Sequence, residues 1–287
     1  MAVQNSLAQR AQQKTGITAY MNNEKTLAYI GQSLGATNRQ RFITSIISAV
    51  NNNSALQECT NQSILAGALL GESLKLSPSP QLGQYYLVPF NDKEKGKVAQ
   101  FQLGYKGYIQ LAIRSGQYKK LNVLAIKEGE LVRFDPLNED IEVRLIEDEE
   151  EREAARTIGY YAMFEYVNGF KKALYWSRAK MEAHALKYSP GYKKDVEKGW
   201  NYTFWSKDFD GMAYKTMLRQ LISKWGVMSI EMMTAMDSDY AVINEDGTKN
   251  YVETDDGNII EAEIIEQPQT VEPAAEATSA QNALFGN

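Results

Sequence analysis

The chain has 287 residues, 44% of them apolar, with one cysteine (Cys59) and one histidine (His184). A lone cysteine excludes an internal disulfide, and so few Cys and His side chains leave little material for a zinc site. The formal net charge of −5 hides a segregation: residues 231–287 hold thirteen acids and the single base Lys249, which leaves thirty bases and twenty-three acids, a net of +7, in residues 1–230. An acidic total therefore does not exclude nucleic acid as a partner.

The opening Met-Ala-Val-Gln-Asn-Ser-Leu-Ala-Gln-Arg lacks the apolar stretch of a signal peptide. No run approaches the roughly 18 apolar residues of a membrane span. The expectation is a soluble protein of a reducing cytoplasm with no membrane partner. Residues 1–22, rich in Gln, Asn and Ala, read as mobile or docked on a neighbour. Asn38 is a good N-cap for a helix whose Phe42, Ile43, Ile46, Ile47 and Val50 share one apolar face. That face is the expected protomer contact. A second helix covers about Asn61 to Lys75, where Gly67 and Gly71 permit close helix packing before Ser77-Pro-Ser-Pro80 stops it.

The period then changes to two. Gln84–Phe90 and Val98–Leu103 flank a charged tip and read as a hairpin, followed by a helix from about Tyr105 to Ser115. Leu121–Ile126, Glu130–Phe134 and Ile141–Ile146 read as strands, and Glu147–Glu151 as an exposed loop of like charges. Thr157–Val167 and Phe170–Trp176 form a second hairpin across Asn168-Gly169, a strong turn signal. Ser177 caps a helix to about Lys187, Ser189–Lys194 reads as a loop, and a long helix runs from about Lys207 to Lys224. This order gives an α+β fold of antiparallel hairpins with packed helices. The expected domains are an arm at 1–34 that contributes to oligomer contact, a core at 35–236, and a disordered acidic tail at 237–287 that binds a partner or competes with DNA.

Two stretches carry the functional argument. Between Phe101 and Lys120 there is no acid, while Tyr105, Lys106, Tyr108, Arg114, Tyr118, Lys119 and Lys120 crowd together. On a helix, Tyr105, Ile109, Ala112 and Ile113 share one side, and Lys106, Gln110 and Arg114 rise on the other. Gly116, which lacks Cβ, suits the left-handed residue that ends such a helix. In the second stretch, Phe209, Ala213, Met217, Leu221 and Trp225 form an apolar face, with Lys207, Lys215 and Arg219 opposite. Trp200, Phe204 and Trp205 just before it offer flat surfaces for bases. Each stretch by itself also reads as a core helix with a wet basic face. Two such elements in one domain favour a surface for an anionic backbone.

Other chemistries find little material. There is no GxxxxGK[ST], since Gly96-Lys97 precedes Val98, and Gly104-Tyr-Lys-Gly107 is not a dinucleotide fingerprint. His184 reads as a solvated helix residue rather than part of a nucleophilic triad. Asp135 and Glu142 near strands leave a metal-dependent nuclease as the minor alternative, and a plain single-strand coat as another.

Gln102–Gln117, Tyr175-Trp-Ser-Arg178, Met212–Arg219 and Leu221–Gly226, with Leu87-Val-Pro-Phe90 before them, together resemble the RecT family of phage single-strand annealing recombinases. The likeness spans about residues 35–235. It implies a non-enzymatic protein that works without ATP, metal or other cofactor in the bacterial host cytoplasm. It implies coating of single-stranded DNA, pairing with a complementary strand, and retention of the annealed duplex. The implied partners are further copies of the chain in a ring or helical filament, a 5′→3′ exonuclease and the host single-strand-binding protein. Carried onto this sequence, the phosphate contacts would be Lys106, Arg114, Lys119, Lys120, Lys207, Lys215 and Arg219, with Tyr105, Tyr108 and Trp205 as sugar or base contacts.

Overall fold

The computed structural model describes residues 16–79, 81–92, 95–244 and 246–251; the expectations for residues 1–15 and 252–287 lie outside it. A short helix, Ile17–Met21 (α1), leads into Glu24–Asn51 (α2), which Asn23 caps by accepting from the Lys25 amide at 3.0 Å. The start expected at Asn38 is corrected, because that residue lies inside α2. The helical run breaks instead at Gly35, whose φ of 73° a residue with Cβ adopts at a cost. Ile17, Met21 and Ile30 are buried with Phe42, Ile43, Ile46 and Val50, so residues 17–34 are part of the folded body rather than a separate arm. The same burial takes the expected protomer face inside this chain's own core.

Asn61–Ser73 (α3) packs on the hairpin of Tyr85–Asp92 (β1) and Gly96–Leu103 (β2). Its two glycines serve helix-on-sheet packing rather than helix-on-helix packing. A Cβ at Gly67 would lie 2.8 Å from Leu87, and one at Gly71 would lie 2.3 Å from the Tyr85 ring. Tyr105–Ser115 (α4) follows, closed by Gly116 at φ 68°. Tyr118–Lys127 (β3) pairs with Thr157–Tyr166 (β6), which pairs with Lys171–Ser177 (β7), while Leu131–Asp135 (β4) and Asp140–Val143 (β5) form a separate ribbon. All these pairings are antiparallel.

Two expected loops are helices. Glu149–Ala154 (α5) is capped by Asp148, and its first-turn acids face the positive end of the helix dipole, which offsets their mutual repulsion. Pro190–Lys198 (α7) starts with proline at its first position and Ser189 as cap, directly after Arg178–Tyr188 (α6). Phe204–Lys207 (α8), Phe209–Trp225 (α9) and Ile230–Ser238 (α10) follow.

The boundary expected at 236/237 falls inside α10. Beyond it, Ala241–Ile243 (β8) and Lys249–Tyr251 (β9) extend the first sheet in the order β1-β2-β8-β9, with Ala241 opposite Phe101. Helix α9 sits between two cores. Leu218 and Ile222 join α2, α3, α4 and the first sheet, whereas Ala213, Met217 and Leu221 join Tyr160, Ala162 and Phe164 of the β3-β6-β7 sheet. Among the described residues, no helix is long and apolar enough to cross a membrane.

Candidate nucleic-acid interface

The Gly-Tyr-Lys-Gly segment at the head of α4 is a close-packing device. A Cβ on Gly104 would sit 2.1 Å from the Gly83 carbonyl oxygen, and one on Gly107 would sit 2.1 Å from that of Gln84. Only glycine lets the backbone leading into β1 lie against the first turn of α4, where the Gly104 amide donates to Gln84 at 2.9 Å. This approach places Lys106, which is exposed, over Gly83 and beside Tyr86. Tyr105 is half-buried and meets Tyr214 edge-on at 6.0 Å. Arg114, though exposed, donates to the Leu74 carbonyl at 2.7 Å and so closes the end of α3.

Three exposed lysines gather around Glu165. A bulge between Tyr118 and Lys120 turns both Lys119 and Lys120 toward this carboxylate on β6. From the other side, β7 sets Lys171 directly opposite Glu165, because Gly169, at φ 88°, makes the connection one residue longer than a two-residue turn. The ammonium groups stand 2.6 Å (Lys119), 3.6 Å (Lys171) and 4.0 Å (Lys120) from Glu165, whose side chain is 6% exposed while theirs are 57%, 65% and 66% exposed. The hydrogen bond from Lys119, reinforced by the neighbouring lysine charges, holds the Glu165 carboxyl below the ordinary carboxylate range. One carboxylate among three cations leaves the cluster positive and its ammonium groups facing outward. Lys171 does not stand out in the sequence, since a two-residue turn at Asn168-Gly169 would set Lys172 opposite Glu165.

Four expected contact residues are placed otherwise. Lys215, 5% exposed, and Arg219 both bind the buried Asp239, Lys215 at 3.5 Å. They also lie over the Tyr240 ring, 4.3 and 5.1 Å from its centroid. Their face of α9 looked solvated only because the segment after α10 was expected to be disordered. Asp239 also accepts from the Leu103 amide at 2.9 Å and the Tyr108 hydroxyl at 3.3 Å. Tyr108 is thereby a core residue at 0% exposure, and Trp205, at 2%, packs against Phe209 at 5.0 Å. Neither ring is open to a nucleotide.

Lys207 is exposed at the end of α8, one turn after Phe204. Phe204 packs with Tyr86, Val88 and Phe90 on the outer side of β1, which brings α8 next to the head of α4. Lys106 and Lys207 thus flank one aromatic seam. Just upstream, Trp200 and Tyr202 are exposed. Trp200 carried a sequence signal; Tyr202 carried none.

The alternative sites are less well assembled. His184 lies against Trp176 and Tyr188. Asp135 accepts from Asn138 and from the Leu137 amide in the β4–β5 turn, and these bonds hold its carboxyl below the ordinary range. Among the described residues, no group of three or more His, Cys, Asp or Glu side chains is placed to hold a metal ion.

Comparison with known proteins adds the lineage. The model of the RecT family matches residues 40–255. An uncharacterised protein, YqaK, of Bacillus subtilis (strain 168) is 41% identical over 242 residues, covering 83% of this chain and 76% of that protein. Protein RecT of Escherichia coli (strain K12) is 28% identical over 243 residues, covering 82% of this chain and 84% of that protein.

Proposed function

The chain belongs to the RecT family, and from that premise we propose that it is an ATP-independent, non-enzymatic single-strand annealing protein of homologous recombination. It assembles on single-stranded DNA as a ring or helical filament, pairs the strand with its complement and keeps the annealed duplex on a basic surface. It acts in the bacterial cytoplasm beside a 5′→3′ exonuclease and the host single-strand-binding protein.

The observation that carries this reading is the cluster of Lys119, Lys120 and Lys171 around Glu165. Annealing breaks no covalent bond. It requires that the repulsion between two phosphate backbones be neutralised while base edges stay free to test pairing. Cations fixed by a shared carboxylate suit that task, because their positions are set before DNA arrives and less side-chain entropy is lost on contact. Lys106 and Lys207 supply further phosphate contacts, with Tyr105 as a sugar contact. Arg114 contributes less, being engaged by Leu74. Lys215 and Arg219 act through Asp239 as organisers of the fold rather than as DNA contacts.

The test is the rate of pairing of two complementary fluorescent oligonucleotides without ATP, with and without magnesium. The expected result is acceleration by the wild type that Lys119→Ala/Lys120→Ala/Lys171→Ala loses. Binding without acceleration would reduce the protein to a single-strand coat, and magnesium-dependent shortening of the strands would favour a nuclease.

A further inference from the structure

The loop between α7 and α8 displays two aromatic rings on a rigid mount. Gly199 ends α7 in the left-handed conformation at φ 67°, and the Trp200 amide returns to the Asp195 carbonyl at 2.8 Å. The Asp195 side chain, in a residue 3% exposed, then gathers the loop: it accepts from the amides of Tyr202 (2.9 Å) and Thr203 (2.8 Å) and from the Ser206 hydroxyl (2.7 Å). Thr203 in turn caps α8. With its backbone held at so many points, the loop nonetheless leaves Trp200 50% and Tyr202 55% exposed. Their centroids are 5.5 Å apart and their planes 63° apart, an edge-to-face pair that remains half exposed. Trp205, three residues beyond Tyr202, is by contrast turned inward at 2% exposed.

The surroundings favour a nucleic-acid occupant over a protein one. Lys193, Lys194, Lys198 and Lys207 are exposed on the two flanking helices. Of the acids between 190 and 208, Asp195 is buried and fully engaged, and Glu197 and Asp208 are exposed, fewer than the four lysines around them. Through Phe204 the loop is continuous with the seam flanked by Lys106 and Lys207. Flat rings beside a row of ammonium groups suit a base lying on an aromatic face while its phosphates meet lysines, an arrangement that accepts any sequence.

We propose that Trp200 and Tyr202 form a stacking step for unpaired nucleobases at the margin of the DNA-binding surface. The proposal rests on the annealing reading above and adds a base-dependent component to it. Stacking here orders a single strand with its hydrogen-bonding edges turned away from the protein, the state in which it can sample a complement.

The test titrates the full-length wild type, Trp200→Ala/Tyr202→Ala and the ring-preserving Trp200→Phe with fluorescein-labelled oligo-dT and with an abasic strand of equal length. The expected result is a loss of about tenfold on oligo-dT for the double variant, no change on the abasic strand, and near-wild-type behaviour for Trp200→Phe. Unchanged affinity of the double variant for oligo-dT would overturn the proposal. Equal losses on both strands would also overturn it, by making the rings a support for the loop. A change in particle size without DNA, with oligo-dT affinity intact, would assign the rings to a protein contact instead. Failure of the wild type to bind either strand would sink the annealing reading itself, and this one with it.

Discussion

The Lys215 ammonium lies 3.5 Å from the Asp239 carboxylate, in a pocket where the two side chains are 7% and 0% exposed. The contact ties the central helix α9 to the segment that enters β8, and Arg219, Tyr108 and the Leu103 amide converge on the same carboxylate. Removing one partner of a buried ion pair strands the other charge, at a cost of about 3–5 kcal/mol. Asp239→Ala is therefore expected to lower the urea midpoint by that equivalent, and Lys215→Ala to lower it less, because Arg219 still pairs the carboxylate. Any loss of annealing in Lys215→Ala should track the unfolded fraction. A Lys215→Ala protein of undiminished stability that no longer binds DNA would return this residue to the interface.

That network also shows where the sequence stops being legible. Periodicity separated both hairpins and the Ala213, Met217 and Leu221 core face of α9, because those patterns are local. On α4 it misplaced the buried side, since Ile113 is exposed while Tyr108 and Leu111 are buried. Whether Lys215 and Arg219 face water depends on a segment some twenty residues further on, which carries a run of acids and reads as tail. The strand β8 is three residues long and gains its place through Phe101 and Tyr240 rather than through its own pattern. Likewise, the partnership of Lys171 with Glu165 follows from a one-residue register choice at Gly169. The short helices α5 and α7 were signalled by Asp148, Ser189 and Pro190, but charge runs and a proline weighed more heavily than those caps.

Tyr85 makes a prediction about packing. It is buried, stacked on Phe101 at 5.2 Å and pressed against Gly71, yet among the described residues its hydroxyl has no hydrogen-bond partner. An unsatisfied buried hydroxyl costs about 1–3 kcal/mol. Tyr85→Phe should thus leave stability unchanged or raise it by about 1 kcal/mol. Gly71→Ala should lower it by about 1–3 kcal/mol, since the ring it would strike is enclosed and cannot swing aside. Chemical denaturation of the two variants reads both signs; a destabilised Tyr85→Phe would mean that the hydroxyl is satisfied in solution.

Glu130 predicts the acid limb of the stability profile. Burial pushes its carboxyl up, but hydrogen bonds from the Lys127 amide (2.7 Å), the Arg152 guanidinium (2.6 Å) and the Ile146 amide (3.2 Å) outweigh that and leave it below the ordinary value. A carboxyl with a depressed folded pKa contributes stability that is fully present above its unfolded pKa and is lost as pH falls through the folded one. Urea midpoints of the wild type should fall steadily as pH drops below the ordinary carboxylate value. Glu130→Gln should start less stable near neutrality and fall less steeply on acidification. Parallel curves for the two proteins would place the acid sensitivity elsewhere.

The lysine cluster predicts the salt dependence of binding. If each of Lys119, Lys120 and Lys171 meets one phosphate of a single strand, each releases counterions and contributes about 0.7 to the slope of log K against log salt. Lys119→Ala/Lys120→Ala/Lys171→Ala should accordingly bind oligo-dT more weakly at low salt, with a slope reduced by about 2. Glu165→Gln should act in the opposite direction, tightening low-salt binding, because it removes the one negative group among the three ammoniums. Fluorescence anisotropy across a salt series measures both. A triple variant with weakened affinity but an unchanged slope would mean that these lysines support the sheet without touching phosphate. A weakened Glu165→Gln would instead show that the carboxylate's hold on the ammonium groups matters more than the charge it cancels.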